Sequence, residues 1–241
     1  MRFISLGAVA LAATLAASGC AAPRSAATTG PDAAPSARVL AATADSLRAA
    51  PGPVARRALA RRVMIRSGLT PLADMGRPRS ENPVFSVGGE PGAGAVVAGL
   101  VPGRWPTVRS ELVVVGTDLS GPHVGPVLEA ARVLAERSQW TPTPERTVMV
   151  ALWTGPDGAR GALTSGVWPR GNVRAVLSVG GPVGALPLVE VEGQAALDTL
   201  VLPVEQGEGA VALAQRVLDE AVRLARRPVP ADTLGPTGAS R

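Results

Sequence analysis

Short apolar runs alternate with amphipathic stretches through the middle of the chain. Residues 111–116 (ELVVVG) and 146–153 (RTVMVALW) are rich in β-branched side chains, as are strands buried on both faces of a parallel sheet. Between them, residues 124–137 place Val127, Ala131 and Leu134 on one face, which is typical of a helix that packs against a sheet. The pattern therefore predicts a strand, a helix and a second strand in succession.

Short apolar runs and amphipathic stretches also predict strands and helices on both sides of this unit. Three further helices are expected, at residues 38–49, 54–67 and 209–226, and Gly68 is expected to end the second of them. Three further strands are expected, at residues 173–179, 186–191 and 200–204. Helices that alternate with apolar strands favour an α/β fold, here a three-layer sandwich with a mostly parallel sheet.

The first twenty residues (MRFISLGAVALAATLAASGC) have the organisation of an export signal. Arg2 precedes an apolar stretch that is too short to span a membrane, and Ala-Ser-Gly follows before Cys20. Small residues directly before a cysteine resemble the lipobox of bacterial lipoproteins, which implies cleavage and acylation at Cys20. The alternative is an ordinary secretory signal. Because Cys20 is the only cysteine, no internal disulfide is expected.

Composition along the chain divides it into four predicted segments. These are a lipoprotein signal peptide at 1–20, a disordered tether at 21–38, a folded domain at 39–227 and a disordered tail at 228–241. An acylated Cys20 would hold the domain at a lipid bilayer. We therefore expect an exported protein of the cell envelope, with its domain in the periplasm or outside the cell.

Charge and aromatic content narrow the classes of function. The net charge is +5, and only 2% of the residues are aromatic. The one dense basic cluster lies on a predicted helix and consists of Arg56, Arg57, Arg61, Arg62 and Arg66. It has no stacking aromatics beside it, so we predict no nucleic-acid partner. Contact with phosphate or anionic lipid is one interpretation, and a solvated helix face is the favoured one.

Several stretches, taken in order, suggest a family. They are ARRVMIRSGLTPL, VVAGLVPG, SELVVVGTDLS, VLEAARVLAE and ERTVMVALWTGPDGARG. Their order and hydrophobic pattern resemble the co-catalytic di-zinc aminopeptidases, a family that also contains glutaminyl cyclase, glutamate carboxypeptidase and the transferrin receptor ectodomain. The resemblance covers about residues 55–180. It implies a zinc-exopeptidase-like fold in shortened form.

The metal ligands of that family are largely replaced here. The family has Ala-His-x-Asp after the strand at 111–116, and this chain has Asp118 and Ser120 at the positions of the two ligands. The loop that carries the bridging Asp is reduced to a short run around His123. Where the family has Gly-Glu-Glu, with a general base and a ligand, this chain has Gly-Pro-Asp, ending at Asp157. Proline cannot accept a proton from water.

The histidine count agrees with this comparison. A two-zinc site of this family needs two histidines, and the chain contains one. The resemblance therefore implies that the peptidase activity and its zinc are missing. The leading hypothesis is a membrane-anchored lipoprotein whose domain acts as a non-catalytic binding or scaffolding module for a protein or peptide partner.

Two enzymatic alternatives stay open. Ligands collect at the carboxyl ends of parallel strands, so the loops at 117–123 and 154–161 are where chemistry is sought. Asp118, His123 and Asp157 lie there and would hold zinc or another divalent ion in a divergent metal-dependent peptidase or amidohydrolase. His123 would alternatively act as the base for Ser120 or Ser165, although the chain has no Gly-x-Ser-x-Gly elbow.

Overall fold

The computed structural model describes residues 29–71, 84–85, 96–155, 172–181 and 198–226. The helices are α1 (Ala37–Ala49), α2 (Gly52–Arg66), α3 (Val124–Ser138) and α4 (Ala210–Ala225). The strands are β1 (Thr70–Pro71), β2 (Val84–Phe85), β3 (Val96–Val101), β4 (Leu112–Asp118), β5 (Thr147–Trp153), β6 (Val173–Val179) and β7 (Asp198–Leu202). Within these ranges, no helix has the length and apolar character needed to cross a membrane.

The described strands form one sheet with the order β1–β3–β5–β4–β6–β7, and β2 also pairs with β3. Strands β5, β4, β6 and β7 run parallel to one another. Strand β3 runs antiparallel to β5, and the two short strands run antiparallel to β3. Among the five longer strands the sheet is therefore mostly parallel, which confirms the predicted α/β class.

The four described helices contribute to one hydrophobic core on one face of the sheet. Val113 and Val115 of β4 belong to this core, together with Val127 of α3 and Leu218 of α4. The opposite face carries a second cluster, which contains no residue of a described helix and includes Leu100, Leu112, Val114, Met149 and Trp153. These side chains are also nearly fully buried. The described residues do not include a third layer of the predicted sandwich.

Most of the predicted elements occur close to the expected positions. The predicted strand–helix–strand unit is β4, α3 and β5, with β4 and β5 adjacent and parallel. The predicted helices correspond to α1, α2 and α4, and Gly68, with φ of +82°, follows the end of α2. Strand β6 has the predicted bounds, whereas the predicted strand at 186–191 lies outside the described residues.

Two strands differ from the sequence interpretation. Strand β7 ends at Leu202 instead of residue 204, because Pro203 has no N–H group with which to continue a ladder. Strand β3 was not identified from its pattern, since its run of small and β-branched residues (VVAGLV) follows a glycine-rich stretch. All six of its residues are buried, and it separates the short strands from β5.

The predicted tether is wrong for residues 29–38, which pack against α3 or begin α1. Ala33 has 0% exposure. The backbone N–H of Gly30 donates to Glu136 at 3.0 Å, and that of Ser36 donates to Glu129 at 2.8 Å. Arg137 of α3 donates in turn to the carbonyl of Ala33 at 2.8 Å. The domain therefore includes the chain from residue 29, and the predicted signal peptide and tail lie outside the described residues.

Arg146 connects the amino ends of the strands to the last turn of α4. Its guanidinium donates to Glu111 at 2.5 Å and to the carbonyls of Leu224 at 3.1 Å and Arg226 at 2.7 Å. A cation is favourable at the carbonyl end of a helix. Burial of Glu111 acts to raise its pKa, but hydrogen bonds from Arg174 and Arg146 outweigh burial and hold that pKa below its ordinary value.

Arg146→Met is expected to lower the free energy of unfolding by about 2–3 kcal/mol, because it removes a mostly buried charge from several partners at once. The matched control is Arg174→Met, since the Arg174 side chain is 41% exposed and its pairing with Glu111 is mostly solvated. That control is expected to cost less than about 1 kcal/mol. Urea denaturation measures both values, and equal losses would contradict the assigned role of Arg146.

Candidate functional site

Asp118 joins the loops that follow two neighbouring parallel strands. It is the last residue of β4 and is aligned with Trp153, the last residue of β5. One carboxylate oxygen accepts the N–H of Ser120 at 2.6 Å, and the other accepts the N–H of Gly155 at 3.0 Å. We call this arrangement of Asp118, Ser120 and Gly155 the Asp118 clasp. It uses both oxygens to hold the two loops together.

Further hydrogen bonds fix the same edge of the sheet. The N–H of Leu119 donates to the carbonyl of Trp153 at 2.7 Å, which extends the contact between β4 and β5. The buried hydroxyl of Thr117 donates to the carbonyl of Val179 at 2.9 Å and ties β4 to the end of β6. The carboxyl ends of three adjacent strands are therefore held in a defined arrangement.

His123 precedes the first turn of α3 and packs against the end of β6. Its side chain makes no capping hydrogen bond to that helix. The imidazole ring lies directly on Gly180, where an added Cβ would overlap the ring. Gly180 has φ of +83°, a conformation that side-chain-bearing residues rarely adopt. A glycine is thus required at this position both for its backbone conformation and for the close approach of His123.

The carboxylate of Glu208 influences the pKa of His123 through its charge. Burial lowers the pKa of His123 below its ordinary value, and the negative charge of Glu208 partly opposes that effect. The Glu208 side chain is 6% exposed, and both of its oxygens accept hydrogen bonds from Arg216, at 2.9 Å and 2.8 Å. Sequence analysis missed Glu208 and Arg216, because only the packing of α4 beside the sheet brings them near the loop after β4.

We expect protein stability to fall as the pH drops below the ordinary His123 pKa of 6.5. Because burial lowers the folded-state pKa, the unfolded chain binds the proton at higher pH, and stability in this window rises with pH. His123→Gln should flatten the melting-temperature profile between about pH 7.5 and 5.5. Glu111 and Glu220 also have lowered pKa values, but they change the stability only below about pH 4.5. An unchanged profile in His123→Gln would contradict this assignment.

The predicted site residues make different contacts in the structure. Asp118 and His123 lie on the same loop, but the first binds backbone N–H groups and the second packs on Gly180. Ser120 is exposed, and its hydroxyl makes no hydrogen bond to His123 within the described ranges. Asp157, Ser165 and the predicted lipidation site Cys20 lie outside those ranges. Among the residues that the structure describes, no group of three His, Cys, Asp or Glu is placed to hold a metal ion.

A groove of about 770 Å³ borders the same loop. It is bounded by α1, by residues 119–122 and by the first turns of α3 and α4. Most of its lining is apolar, with contributions from Leu40, Ala44, Leu47, Leu119 and Val211. Mostly apolar concavities of this size are typical of ligand sites.

Neither a protein-family model nor a curated protein matches the chain. Among solved structures, two of the LapA aminopeptidase of Legionella pneumophila show a weak similarity, each with 15% sequence identity. The alignments cover 59% and 58% of this chain, with TM-scores of 0.38 and 0.37. The chain spans only 42% and 41% of the length of those two structures.

Proposed function

We propose that the protein is an exported lipoprotein, anchored to a membrane through acylated Cys20, whose domain binds a partner and does not cleave it. In this proposal the domain is a shortened, degenerate form of the zinc-exopeptidase fold. The order of the family-like stretches and the mostly parallel sheet support that reading. The observation that carries the non-catalytic assignment is the Asp118 clasp.

The clasp argues against a metal-binding role for Asp118. A zinc ligand must direct a free oxygen or nitrogen at the metal, in a set of about four. Both oxygens of Asp118 instead accept backbone N–H groups from two different loops. Turning the carboxylate toward a metal would leave those N–H groups unpaired, at a cost of about 1–3 kcal/mol for each one that is buried. Each carboxylate oxygen keeps a second lone pair, so the clasp favours a structural role for Asp118 without using all of its acceptor capacity.

The groove supplies the surface for binding. It borders residues 119–122, so the loop that carries catalytic ligands in the family here forms one wall of an apolar concavity. Apolar side chains from α1 form another part of its lining. Burial of ligand surface against such walls contributes about 25 cal/mol for each Å² of apolar area. We propose this groove as the ligand site of the binding module.

The alternative function is a divergent metal-dependent peptidase or amidohydrolase that uses Asp118, His123 and Asp157. The observation that favours it is position: Asp118 and His123 lie at the carboxyl ends of parallel strands, where active sites of α/β sheets form. Bound metal stabilises a folded protein in proportion to its affinity and concentration. The two functions therefore differ in their response to zinc.

Thermal unfolding with and without zinc tests the proposal. We expect zinc to leave the melting temperature of the wild type unchanged, and Asp118→Ala to lose about 2 kcal/mol of stability whether or not zinc is present, because the clasp is lost. The opposing result is a zinc-dependent rise in the wild type that disappears in both Asp118→Ala and Asp157→Ala. Chelator-sensitive peptide hydrolysis with the same mutational pattern would establish the alternative function.

Membrane fractionation tests the anchor separately. The wild-type chain is expected in the membrane fraction, because acyl chains contribute about 0.8 kcal/mol for each buried methylene. Cys20→Ser is expected in the soluble exported fraction or as an uncleaved precursor. Identical fractionation of the two, with a wild type that carries no acyl group, would contradict the lipoprotein assignment.

A further inference from the structure

The groove beside the Asp118 clasp contains an arginine that forms no ion pair with any described residue. Helix α2 has several arginines and no acidic residue, and Arg56 of this helix lines the groove. The Nε of Arg56 is buried and has no hydrogen-bond partner within the described ranges. None of the ion pairs found there includes an arginine of α2. A buried N–H of a guanidinium without a partner favours an anion at this position.

Arg56 differs in this respect from the other guanidinium of the lining. Arg48 pairs with Asp45 at 2.8 Å, and both of these side chains are largely exposed. Its charge is already compensated and screened by solvent. Of the two arginines in the lining, Arg56 is therefore the one whose charge is available to a ligand.

The loop wall of the groove offers few free N–H groups to a peptide backbone. The N–H groups of Leu119, Ser120 and Gly121 are already bonded to Trp153, to the Asp118 carboxylate and to the Asp118 carbonyl. Pro122 and Pro126, which also line the groove, have no N–H. Peptide groups placed against this loop would lose water without gaining partners, whereas an acyl chain has no polar groups to satisfy. The loop wall thus favours a hydrocarbon chain.

We infer that the groove binds a long-chain fatty acid, with the hydrocarbon chain between α1 and the loop at 119–122 and the carboxylate at Arg56. The inference rests on the binding function proposed above and specifies its ligand class. The apolar walls contribute affinity through burial, and the unpaired guanidinium selects an anionic head. Arg56 is in this account a binding residue.

Isothermal titration of the full chain with hexadecanoate, below its micelle concentration, tests the inference. We expect saturable binding, and weakening by about tenfold or more in Arg56→Met, because a charge-assisted hydrogen bond is lost. The matched control is Arg62→Met, an exposed arginine of the same helix outside the groove, which should bind like the wild type. Cetyl alcohol, which has no charge, should bind wild type and Arg56→Met equally. Ala44→Trp, which fills the groove, should abolish binding of both ligands.

Three results would overturn the inference. They are the absence of saturable hexadecanoate binding, equal affinity of wild type and Arg56→Met, and unchanged binding in Ala44→Trp with native circular dichroism. If an apolar peptide binds the wild type and not Ala44→Trp while hexadecanoate does not bind, the ligand class is wrong and the binding function stands. Zinc-dependent hydrolysis, measured as above, is the separate result that would remove the proposed function itself.

Discussion

Gly116→Ala is expected to lower the free energy of unfolding by about 3 kcal/mol, at the upper end for overpacking of a core. Gly116 lies in β4, which is paired on both sides. A Cβ at this position would overlap the indole ring of Trp153 and approach the carbonyl oxygen of Ala151 to 2.6 Å. Trp153 is 6% exposed and Ala151 is fully buried, so neither has space into which to move.

A second glycine of the sheet provides the matched control. Gly99 lies in β3, and the three atoms nearest to a Cβ there are side-chain atoms of Leu69 and Met64, each at 3.2 Å. Both side chains are buried, but the overlap is much smaller than at Gly116 and needs a shift of only a few tenths of an ångström, so Gly99→Ala should cost less than about 1 kcal/mol. Urea denaturation gives both free energies. Similar losses in the two variants would show that the contact between Gly116 and Trp153 is not the cause.

Glu129→Ala is expected to cost about 3 kcal/mol, because it removes one partner of a buried ion pair. The Glu129 side chain is 1% exposed. It accepts two hydrogen bonds from Arg132, at 2.9 Å and 2.8 Å, and one from the N–H of Ser36 at 2.8 Å. Its loss leaves the Arg132 guanidinium, which is 16% exposed, without its carboxylate. The chain before α1 also loses one of its hydrogen bonds to α3.

Glu136→Ala is the control for this variant. Glu136 also binds the N-terminal segment, through the N–H of Gly30 at 3.0 Å, but its second hydrogen bond, from Trp140 at 3.4 Å, is exposed. We expect a loss of about 1 kcal/mol. Amide exchange at Ser36, measured by NMR, should accelerate in Glu129→Ala and stay protected in Glu136→Ala. Stability of Glu129→Ala within about 0.5 kcal/mol of the wild type would contradict the account.

Local periodicity was sufficient to place the central elements of the fold. Strands β4 and β5 and helix α3 each bury a continuous set of apolar side chains, so their sequence pattern and their environment agree. The pairing order and the antiparallel direction of β3 depend on contacts between strands that are distant along the chain, and the local pattern does not predict such contacts. Composition likewise missed the packing of residues 29–36, because their partners are Glu129, Glu136 and Arg137 of α3, far along the chain.

In the candidate site, too, the sequence predicted the position of the residues but not their partners. The rule that ligands gather at the carboxyl ends of parallel strands directed attention to the loop containing Asp118, Ser120 and His123. The role of Asp118 depends on the N–H of Gly155, which only the side-by-side alignment of β4 and β5 brings within reach. The effect of Glu208 on His123 similarly requires α4 to pack beside that loop. Residue types are visible in a sequence, whereas partners of this kind are set by tertiary structure.

The metal content of the purified full chain, measured by elemental mass spectrometry after equilibration with zinc and desalting, tests the central claim most directly. If Asp118 serves as a clasp and the domain binds without catalysis, no zinc is retained. Retention of about one zinc or more per chain, lost in Asp118→Ala and in Asp157→Ala, would contradict that claim and support a metal-dependent hydrolase.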